Sequence, residues 1–312
     1  MGIVPTQFAS RVTLLRDKVE SFDVYPFCLP VVRTLESIDL HPKVTFLVGE
    51  NGSGKSTLLE AIAIALEFNP EGGSRNFNFA TRESHSELHD YLRIAKGYRR
   101  QRSGFFLRAE SWFNVATQVD ELGVADGYGG RSLHEQSHGE SFMALLKNRF
   151  KPEGLYLLDE PEAALSPARQ IEALSRIHEL VLQDSQFVIA THSPILMAYP
   201  DALILHCGPT GIHPICYEDT EHFRITRDFL NHRERVMDIL MAPGPWRPPR
   251  PATPARRSRA SWASRRAAGW SSWTRRTATA TGSRRCPKVC VSRRRCRRRS
   301  PWCMCSPTAA PR

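Results

Sequence analysis

The last 70 residues of the 312-residue chain lack whole classes of side chain. Residues 243–312 contain no Asp or Glu and no His, Leu, Ile, Phe or Tyr, but they hold 19 Lys and Arg residues and five of the six tryptophans. A segment without Leu, Ile or Phe cannot bury enough apolar surface to offset the conformational entropy lost on folding. We therefore expect a disordered tail at 243–312 and a folded domain at 1–242.

Two interpretations of this tail stay open. Its Arg, Pro, Ala, Ser, Trp and Cys content is typical of a GC-rich gene translated out of frame, and the missing acidic residues favour this interpretation. The alternative is an arginine-rich arm that binds nucleic acid through phosphate contacts. In either case the net charge of +11 belongs to the tail, because residues 1–242 hold 24 basic and 32 acidic residues, a net charge of −8.

The chain also lacks a long uninterrupted apolar run. No stretch reaches the roughly 18 apolar residues that a membrane-spanning helix needs. Arg11, Arg16 and Asp17 interrupt any apolar run near the N-terminus, which argues against a signal peptide. These absences predict a cytoplasmic protein with no membrane segment of its own.

Apolar runs of strand length alternate with helical patterns through residues 1–242. This alternation predicts an α/β fold with a mainly parallel sheet flanked by helices and a small helical insertion. A late β-hairpin is expected around Gly211, followed by a last helix at 224–241. The predicted strands are 44–48, 105–107, 155–158, 187–190 and 202–205, and the other predicted helices are 56–68, 86–98, 140–149 and 167–183.

A glycine-rich turn between the first of these strands and its helix fits the pattern G-x-x-x-x-G-K-[ST]. Glycines let backbone N–H groups turn inward around a β-phosphate, and the following helix points its positive end at the same anion. A chance match occurs about once in a hundred chains of this length, so we interpret the turn as a nucleotide site. Its lysine would reach the β- and γ-phosphates, and its serine would ligate Mg²⁺. The residues of this site are Gly49, Glu50, Asn51, Gly52, Ser53, Gly54, Lys55, Ser56 and Thr57.

Two later strands end in candidate catalytic residues. Asp159 and Glu160 follow one strand, and we expect Asp159 to hold Mg²⁺ and Glu160 to polarise the attacking water. His192 follows the next strand, and a parallel sheet would bring it to the same edge to sense the γ-phosphate. The alternatives are a helix cap for the acids and an ordinary surface polar group for the histidine.

The segment Ser137, His138, Gly139, Glu140 begins a predicted helix. One interpretation is a capping box, with Ser137 as the N-cap and Glu140 three residues later. The other is an anion site at a Ser-x-Gly helix start, placed 22 residues before Asp159.

Together these residues resemble the ABC-type ATPases. The order matches the phosphate loop at 49–56, a Ser-His-Gly-Glu variant of the signature at 137–140, the Asp159-Glu160 pair, a D-loop-like segment at 164–167, and His192 as the switch. More narrowly, the chain is similar to small stand-alone predicted ATPases labelled AAA or ABC-like.

The resemblance implies ATP and Mg²⁺ as cofactors and a head-to-tail homodimer around two ATP molecules. Each ATP would be held by Lys55 of one subunit and by Ser137, with its signature neighbours, of the other. Glu160 would be the general base, His192 would sense the γ-phosphate, and the metal would be held by Ser56 and Asp159.

The sequence departs from the transporter pattern in three places. Its signature is not Leu-Ser-Gly-Gly-Gln, which affects the expected contact with a second subunit. No clear Gln stands where the lid loop belongs, and Arg108 and Glu110 are the best substitutes. The aromatic expected to stack on adenine is Tyr25 or Phe27, unless these rings belong to the core.

The sequence does not indicate which process the ATPase would drive. A basic cluster ends the predicted helix 86–98 and indicates either solvated charges at a helix C-terminus or a contact with nucleic acid or a protein partner. Three functions therefore stay open: an ATPase coupled to an unknown protein partner, the ATP-binding subunit of a transporter, and a nucleic-acid maintenance ATPase. The net negative charge of 1–242 argues against broad DNA binding. The cluster is Arg93, Lys96, Arg99, Arg100 and Arg102.

Overall fold

The fold is seen in a computed structural model that describes residues 7–74, 86–108, 116, 117, 119, 120, 123, 130 and 132–241. The tail at 243–312 and Glu110 lie outside these residues. The strands are β1 (Ala9–Leu14), β2 (Ser37–Asp39), β3 (Val44–Val48), β4 (Leu92–Lys96), β5 (Ser103–Arg108), β6 (Gly154–Asp159), β7 (Gln186–Ala190), β8 (Leu203–Gly208) and β9 (Gly211–Pro214). The helices are α1 (Pro30–Arg33), α2 (Lys55–Ala65), α3 (His138–Asn148), α4 (Pro167–Leu182), α5 (Pro194–Met197), α6 (Glu221–Asn231) and α7 (Arg233–Met241).

The main sheet has six strands in the order β5-β6-β7-β3-β8-β9. All neighbours run parallel except β9, which forms an antiparallel hairpin with β8. The strands β3, β6 and β7 are buried along their whole length, as is typical of a parallel sheet covered on both faces. The predicted fold class is confirmed, and so are the five strands and the late hairpin.

Helices cover both faces of this sheet. On one face α2 contributes Leu58 and Ile62 to a core shared with the N-terminal segment. On the other face, α3 and α4 contribute Phe142, Leu145 and Ile177. The predicted helices 56–68, 140–149 and 167–183 are confirmed, with ends that differ by at most three residues.

A second, antiparallel sheet with the order β2-β1-β4 was not expected. Its strand β4 lies where the sequence predicted the helix 86–98, and that prediction is wrong. The 3₁₀ turn Glu87–Tyr91 precedes β4, which then pairs with β1 so that Ile94 lies opposite Val12. The spacing of Leu88 and Leu92 imitates a helix, but the alternation of apolar and charged residues within β4 has the period of a strand.

The two sheets are joined by the buried side chain of Gln186 at the start of β7. Its Oε1 accepts the N–H groups of Phe8 (2.8 Å) and Ala9 (3.0 Å). Its Nε2 donates to the carbonyl oxygens of Ala9 (2.7 Å) and His41 (2.9 Å). One side chain therefore satisfies four backbone groups where the small sheet meets the main sheet.

The end of the described chain is a pair of helices rather than the single helix predicted at 224–241. The break falls at His232, whose backbone leaves the helical region (φ −130°, ψ 34°). Large apolar side chains on α6 and α7 stay exposed, including Leu230 at 70% and Met241 at 72%. Within the described ranges, no helix combines the length and apolar character needed to cross a bilayer.

Candidate functional site

The glycine-rich turn joins β3 to α2 and depends on its glycines. A Cβ at Gly49, where φ is 152°, would lie 2.1 Å from the carbonyl oxygen of Cys207 on β8. A Cβ at Gly54, where φ is 94°, would lie 2.7 Å from a methyl carbon of Val31. No side chain caps α2 at Gly54, so the N–H groups of its first turn are left to bind an anion.

Lys55 is nearly buried inside this turn. Its Nζ donates to the carbonyl oxygens of Gly49 (2.9 Å) and Glu50 (2.8 Å). Burial lowers the pKa of the Lys55 ammonium, while neighbouring acidic groups, Cys207 first among them, act in the opposite direction. The Lys55 ammonium is thus held on the turn by these two carbonyl oxygens, which a bound phosphate oxygen would replace.

The remaining residues of the turn sit at its rim. Glu50, Asn51 and Gly52 are exposed, whereas Ser53 and Thr57 are partly buried. The N–H of Ser53 donates to the carbonyl of Glu50 at 3.3 Å. The Ser53 hydroxyl is buried and has no hydrogen-bond partner among the described residues.

A hydroxyl and a carboxylate meet beside Lys55. The Ser56 Oγ in the first turn of α2 donates to Asp159 Oδ1 at the end of β6, over 3.0 Å. Asp159 is buried, with 7% of its surface exposed. Hydroxyl and carboxylate oxygens are ligands that Mg²⁺ accepts, so these two side chains fit a magnesium site.

Glu160 follows directly and has a strained backbone, with φ 47° and ψ 52°. The left-handed region is uncommon for a non-glycine residue and is found preferentially at functional sites. The N–H of Glu160 donates to the carbonyl of Ala190 at the end of β7, which fixes the turn against the neighbouring strand (2.9 Å). The side chain of Glu160 is 40% exposed.

His192 lies beside Glu160, as the parallel sheet predicted. Its Nε2 is 3.5 Å from Glu160 Oε1, too long for a strong hydrogen bond, and this nitrogen is buried without a partner among the described residues. The other ring nitrogen, Nδ1, lies 2.9 Å from Nε2 of His222. Burial, followed by the charge of Lys55, lowers the pKa of His192, so its ring is neutral at pH 7.

Two residues at this edge were missed by the sequence argument. Glu162 is partly buried, and its Oε1 accepts the backbone N–H of His192, while its buried Oε2 has no partner in the described part of the chain. Burial raises the pKa of the Glu162 carboxyl. The sequence signal for Glu162 was its position as a third carboxylate, two residues after Glu160. Nothing in the sequence linked His222 to His192, which lies 30 residues earlier.

The helix start at 137–140 forms the predicted capping box. The Ser137 Oγ accepts the N–H of Glu140 at 3.4 Å, and Glu140 Oε2 accepts both the Ser137 N–H (3.1 Å) and the Ser137 hydroxyl (2.8 Å). Ser137, His138 and Glu140 are exposed. A Cβ at Gly139 would lie 3.0 Å from the carbonyl oxygen of Ala164, so this start packs closely on the segment after Glu160.

The residues predicted for the lid-loop and adenine contacts lie in different surroundings. Arg108 ends β5 opposite Asp159, and its guanidinium forms an ion pair with the buried Glu60 on α2. Phe27 is a core residue whose ring packs edge-on against Tyr91, with ring centroids 4.8 Å apart. Tyr25 is 62% exposed.

Three of the five members of the basic cluster on and after β4 pair with acids among the described residues, and one of them is Lys96, which pairs with Glu67 over 3.2 Å. Arg99 pairs with Glu153 (3.0 Å) and with Asp184 (3.6 Å). Arg102 also pairs with Glu153, over 3.2 Å. Paired charges attract phosphates less strongly than free ones, which favours the interpretation of this cluster as an ordinary surface.

Two family models match most of the folded part. A model described as an AAA domain matches residues 22–119. A second AAA-domain model, whose description mentions the AbiEii toxin and type IV TA systems, matches residues 126–198. Between them the two matches span the glycine-rich turn, the capping box, Asp159, Glu160 and His192.

Curated relatives are ATP-binding proteins. The thiamine import ATP-binding protein ThiQ of Vibrio cholerae is 30% identical over 166 residues, 48% of this chain and 68% of the relative. An uncharacterized ABC transporter ATP-binding protein of Haemophilus influenzae is 25% identical over 182 residues, 50% of this chain and 66% of the relative. The cobalt import ATP-binding protein CbiO of Salmonella typhimurium is 26% identical over 233 residues, 64% of this chain and 83% of the relative. The matched segments thus span only about two thirds of the length of the first two relatives.

The solved structures that match part of the chain include ABC and SMC proteins. The SMC head domain from Thermotoga maritima has a TM-score of 0.35 and 18% identity, and the match covers 67% of this chain and 100% of that one. An ATP-binding cassette of an ABC transporter in its ADP conformation has a TM-score of 0.34 and 16% identity, covering 66% of this chain and 91% of that one. The motifs, their arrangement around a parallel sheet and the identity to the Vibrio relative lead to one assignment: the chain belongs to the ABC-type P-loop ATPases.

Proposed function

We propose that the chain binds ATP with Mg²⁺, hydrolyses it, and does so as a head-to-tail homodimer that drives an unknown protein partner. The observation that carries the proposal is the hydrogen bond between Ser56 and Asp159 beside Lys55. Glu160 and His192 stand at the ends of the adjacent strands. We also propose that this activity takes place in the cytoplasm.

The glycine-rich turn would hold the phosphates. Lys55 would leave the carbonyl oxygens of Gly49 and Glu50 and donate to the β- and γ-phosphates. Their negative charge would offset the free-energy cost of burying the ammonium group. Ser56 and Asp159 would hold Mg²⁺, which neutralises charge on the phosphates when bound. Only two protein ligands are expected, because Mg²⁺ is usually held by one or two protein groups together with phosphate oxygens and water.

The strand ends would supply the chemistry. The Glu160 carboxylate would accept a proton from the water that attacks the γ-phosphate in line. The His192 Nε2–H would donate to a γ-phosphate oxygen, which would satisfy the nitrogen that has no partner now. The strained backbone of Glu160 holds its carboxylate outside the sheet edge, where that water would stand.

The second half of each site would come from the other subunit. Ser137 and Gly139 begin α3 at an exposed helix N-terminus, which is suited to a phosphate once a second chain brings one there. The Ser137 hydroxyl now donates to Glu140, so phosphate binding would exchange one acceptor for another. We assign this activity to residues 1–242 and none of it to the tail at 243–312.

A second candidate is the ATP-binding subunit of a transporter. The printed names of the Vibrio and Salmonella relatives, which are thiamine and cobalt import ATP-binding proteins, favour it. This candidate predicts that the chain purifies with a membrane protein from its native cells. A purification that yields the chain without one would count against the transporter role.

Hydrolysis of ATP by the purified full-length chain tests the first candidate. Glu160→Gln removes the general base, and we expect it to lower kcat by about 100-fold or more while ATP still binds. Glu179→Gln is the matched control, because this exposed carboxylate on α4 pairs only with Arg176 on its own helix. Equal turnover in wild type and Glu160→Gln would remove Glu160 from the role of base.

A further inference from the structure

The residue that holds the switch histidine comes from the C-terminal helices. His222 lies in the first turn of α6, and its Nε2 is 2.9 Å from Nδ1 of His192. The two rings meet edge to face, with centroids 5.0 Å apart. Both rings are partly buried, so water competes weakly for this contact.

The first turn of α6 is anchored beside the switch. The Phe223 ring packs on Tyr217, with centroids 4.5 Å apart. The Tyr217 hydroxyl donates to the carbonyl of Pro194, two residues after His192, over 2.9 Å. The position of His222 is therefore set by contacts other than the histidine pair itself.

Hydrogen bonding between two neutral rings fixes which nitrogen carries each proton. A neutral imidazole has one N–H, so one ring of the pair must donate and the other must accept. If His192 donated from Nδ1, its Nε2 would be a bare lone pair facing the Glu160 carboxylate, 3.5 Å away, and repelled by it. When His222 donates instead, the proton of His192 lies on Nε2, where it faces Glu160 and the space for a γ-phosphate.

Burial, together with nearby positive charge, lowers the pKa of both rings. Burial, followed by the neighbouring His192, lowers the pKa of His222, and Lys55 acts on both rings in the same direction. Glu160 opposes this shift at His192, and Glu221 opposes it at His222, while His206 adds to the lowering at His222.

We propose that His222 is a positioning residue, which donates from Nε2 to His192 and thereby holds the switch histidine in its Nε2–H tautomer. The inference rests on the proposed ATPase function, because the tautomer matters only if His192 donates to a phosphate. Two hydrogen bonds in series, from His222 to His192 and from His192 to a phosphate, would then link α6 to the nucleotide, so a shift of this helix would break the bond that orients the switch.

The tautomer of His192 can be read without any nucleotide. Two-bond ¹H–¹⁵N correlation spectra of the full-length chain labelled with ¹⁵N-histidine distinguish the two neutral tautomers, and His192→Gln assigns the signals. We expect His192 to be protonated at Nε2 in wild type and to become a mixture of tautomers in His222→Phe. A wild-type spectrum with the proton on Nδ1 would overturn the proposal.

Kinetics test the consequence for turnover. Loss of a residue that orients a site group typically lowers activity by about 10- to 100-fold, so we expect His222→Phe to lower kcat by that factor with little change in KM for ATP. His222→Gln keeps an N–H donor at nearly the same reach and should restore kcat to within a few-fold. The matched control is His232→Phe, which makes the same exchange of an imidazole for a phenyl ring at an exposed position just after the same helix and should not change kcat.

The spectra and the kinetics together distinguish a failure of the positioning role of His222 from a failure of the proposed ATPase function. A His222→Phe variant with wild-type kcat would refute the positioning role even if the protein is an active ATPase. If wild type hydrolyses no ATP, the proposed function is wrong, while the spectra still decide whether His222 sets the tautomer.

Discussion

Replacing Gly49 by alanine should destabilise the chain far more than the same change at Gly52, three residues later. Both glycines have positive φ, at 152° and 77°. A Cβ at Gly52 meets no atom within 4 Å, whereas one at Gly49 would lie 2.1 Å from the backbone carbonyl oxygen of Cys207. The pair therefore separates backbone strain from a steric clash.

The magnitudes follow from these two terms. Strain in a left-handed or glycine-only region is about 1–3 kcal/mol for an alanine. Forcing a methyl group into packed structure adds about 1–3 kcal/mol more, because the atom that Gly49→Ala meets is backbone of the adjacent strand β8 and cannot rotate away. We expect a loss of about 2–6 kcal/mol for Gly49→Ala and about 1–3 kcal/mol for Gly52→Ala, out of the ~5–15 kcal/mol typical of a domain.

Urea unfolding followed by circular dichroism measures the difference. With an m-value of about 2 kcal/mol/M, a loss of 4 kcal/mol lowers the unfolding midpoint by about 2 M. Equal midpoints for Gly49→Ala and Gly52→Ala would show that β8 does not press on the turn as the structure describes, and the placement of the phosphate site would then be wrong.

Three other changes have outcomes that follow directly from single contacts. Gln186→Leu leaves four backbone groups without their partner, so the free energy of unfolding should fall by about 3 kcal/mol or more in the same urea assay, and an unchanged midpoint would contradict the role of Gln186. Burial lowers the pKa of His206, so as pH falls through about 6.5 the unfolded chain binds a proton at His206 before the folded chain does, and the free energy of unfolding declines. His206→Gln should therefore lose less stability than wild type between pH 7.5 and 5.5. An equal loss in the two proteins would contradict this role of His206. Ser56→Ala removes the hydroxyl next to Asp159, and half-maximal hydrolysis should then need about 10-fold more Mg²⁺, whereas an unshifted titration would exclude Ser56 as a ligand.

Strong local patterns predicted the main sheet and most of its site. Buried parallel strands are continuous apolar runs, and β3, β6 and β7 have this form. The ends of parallel strands share one edge, which was enough to predict that His192 would lie at the same edge as Asp159. A phosphate loop needs glycines at fixed spacings, so it too can be read from one segment.

Contacts between distant segments were not predictable in the same way. Leu92 and Ile94 in β4 have the spacing of a strand, but the surrounding sequence also fits a helix. Only the pairing of β4 with β1, about 80 residues earlier, decides between the two. Tertiary pairing of this kind overrides local propensity. His222 meets His192 only because α6 folds back on the switch, and a single histidine in a polar helix gives no local signal.

We expect two copies of the chain to hold ATP at a shared interface. The most direct measurement is the mass of Glu160→Gln in solution, by size-exclusion chromatography with light scattering, with and without Mg²⁺ and ATP. We expect a monomer of 35.3 kDa without nucleotide and a dimer with it. Adding Ser137→Arg should abolish the dimer, whereas Ser137→Asn keeps the helix cap and should retain it. A protein that stays monomeric with ATP while wild type hydrolyses it, or a dimer that survives Ser137→Arg, would contradict the account.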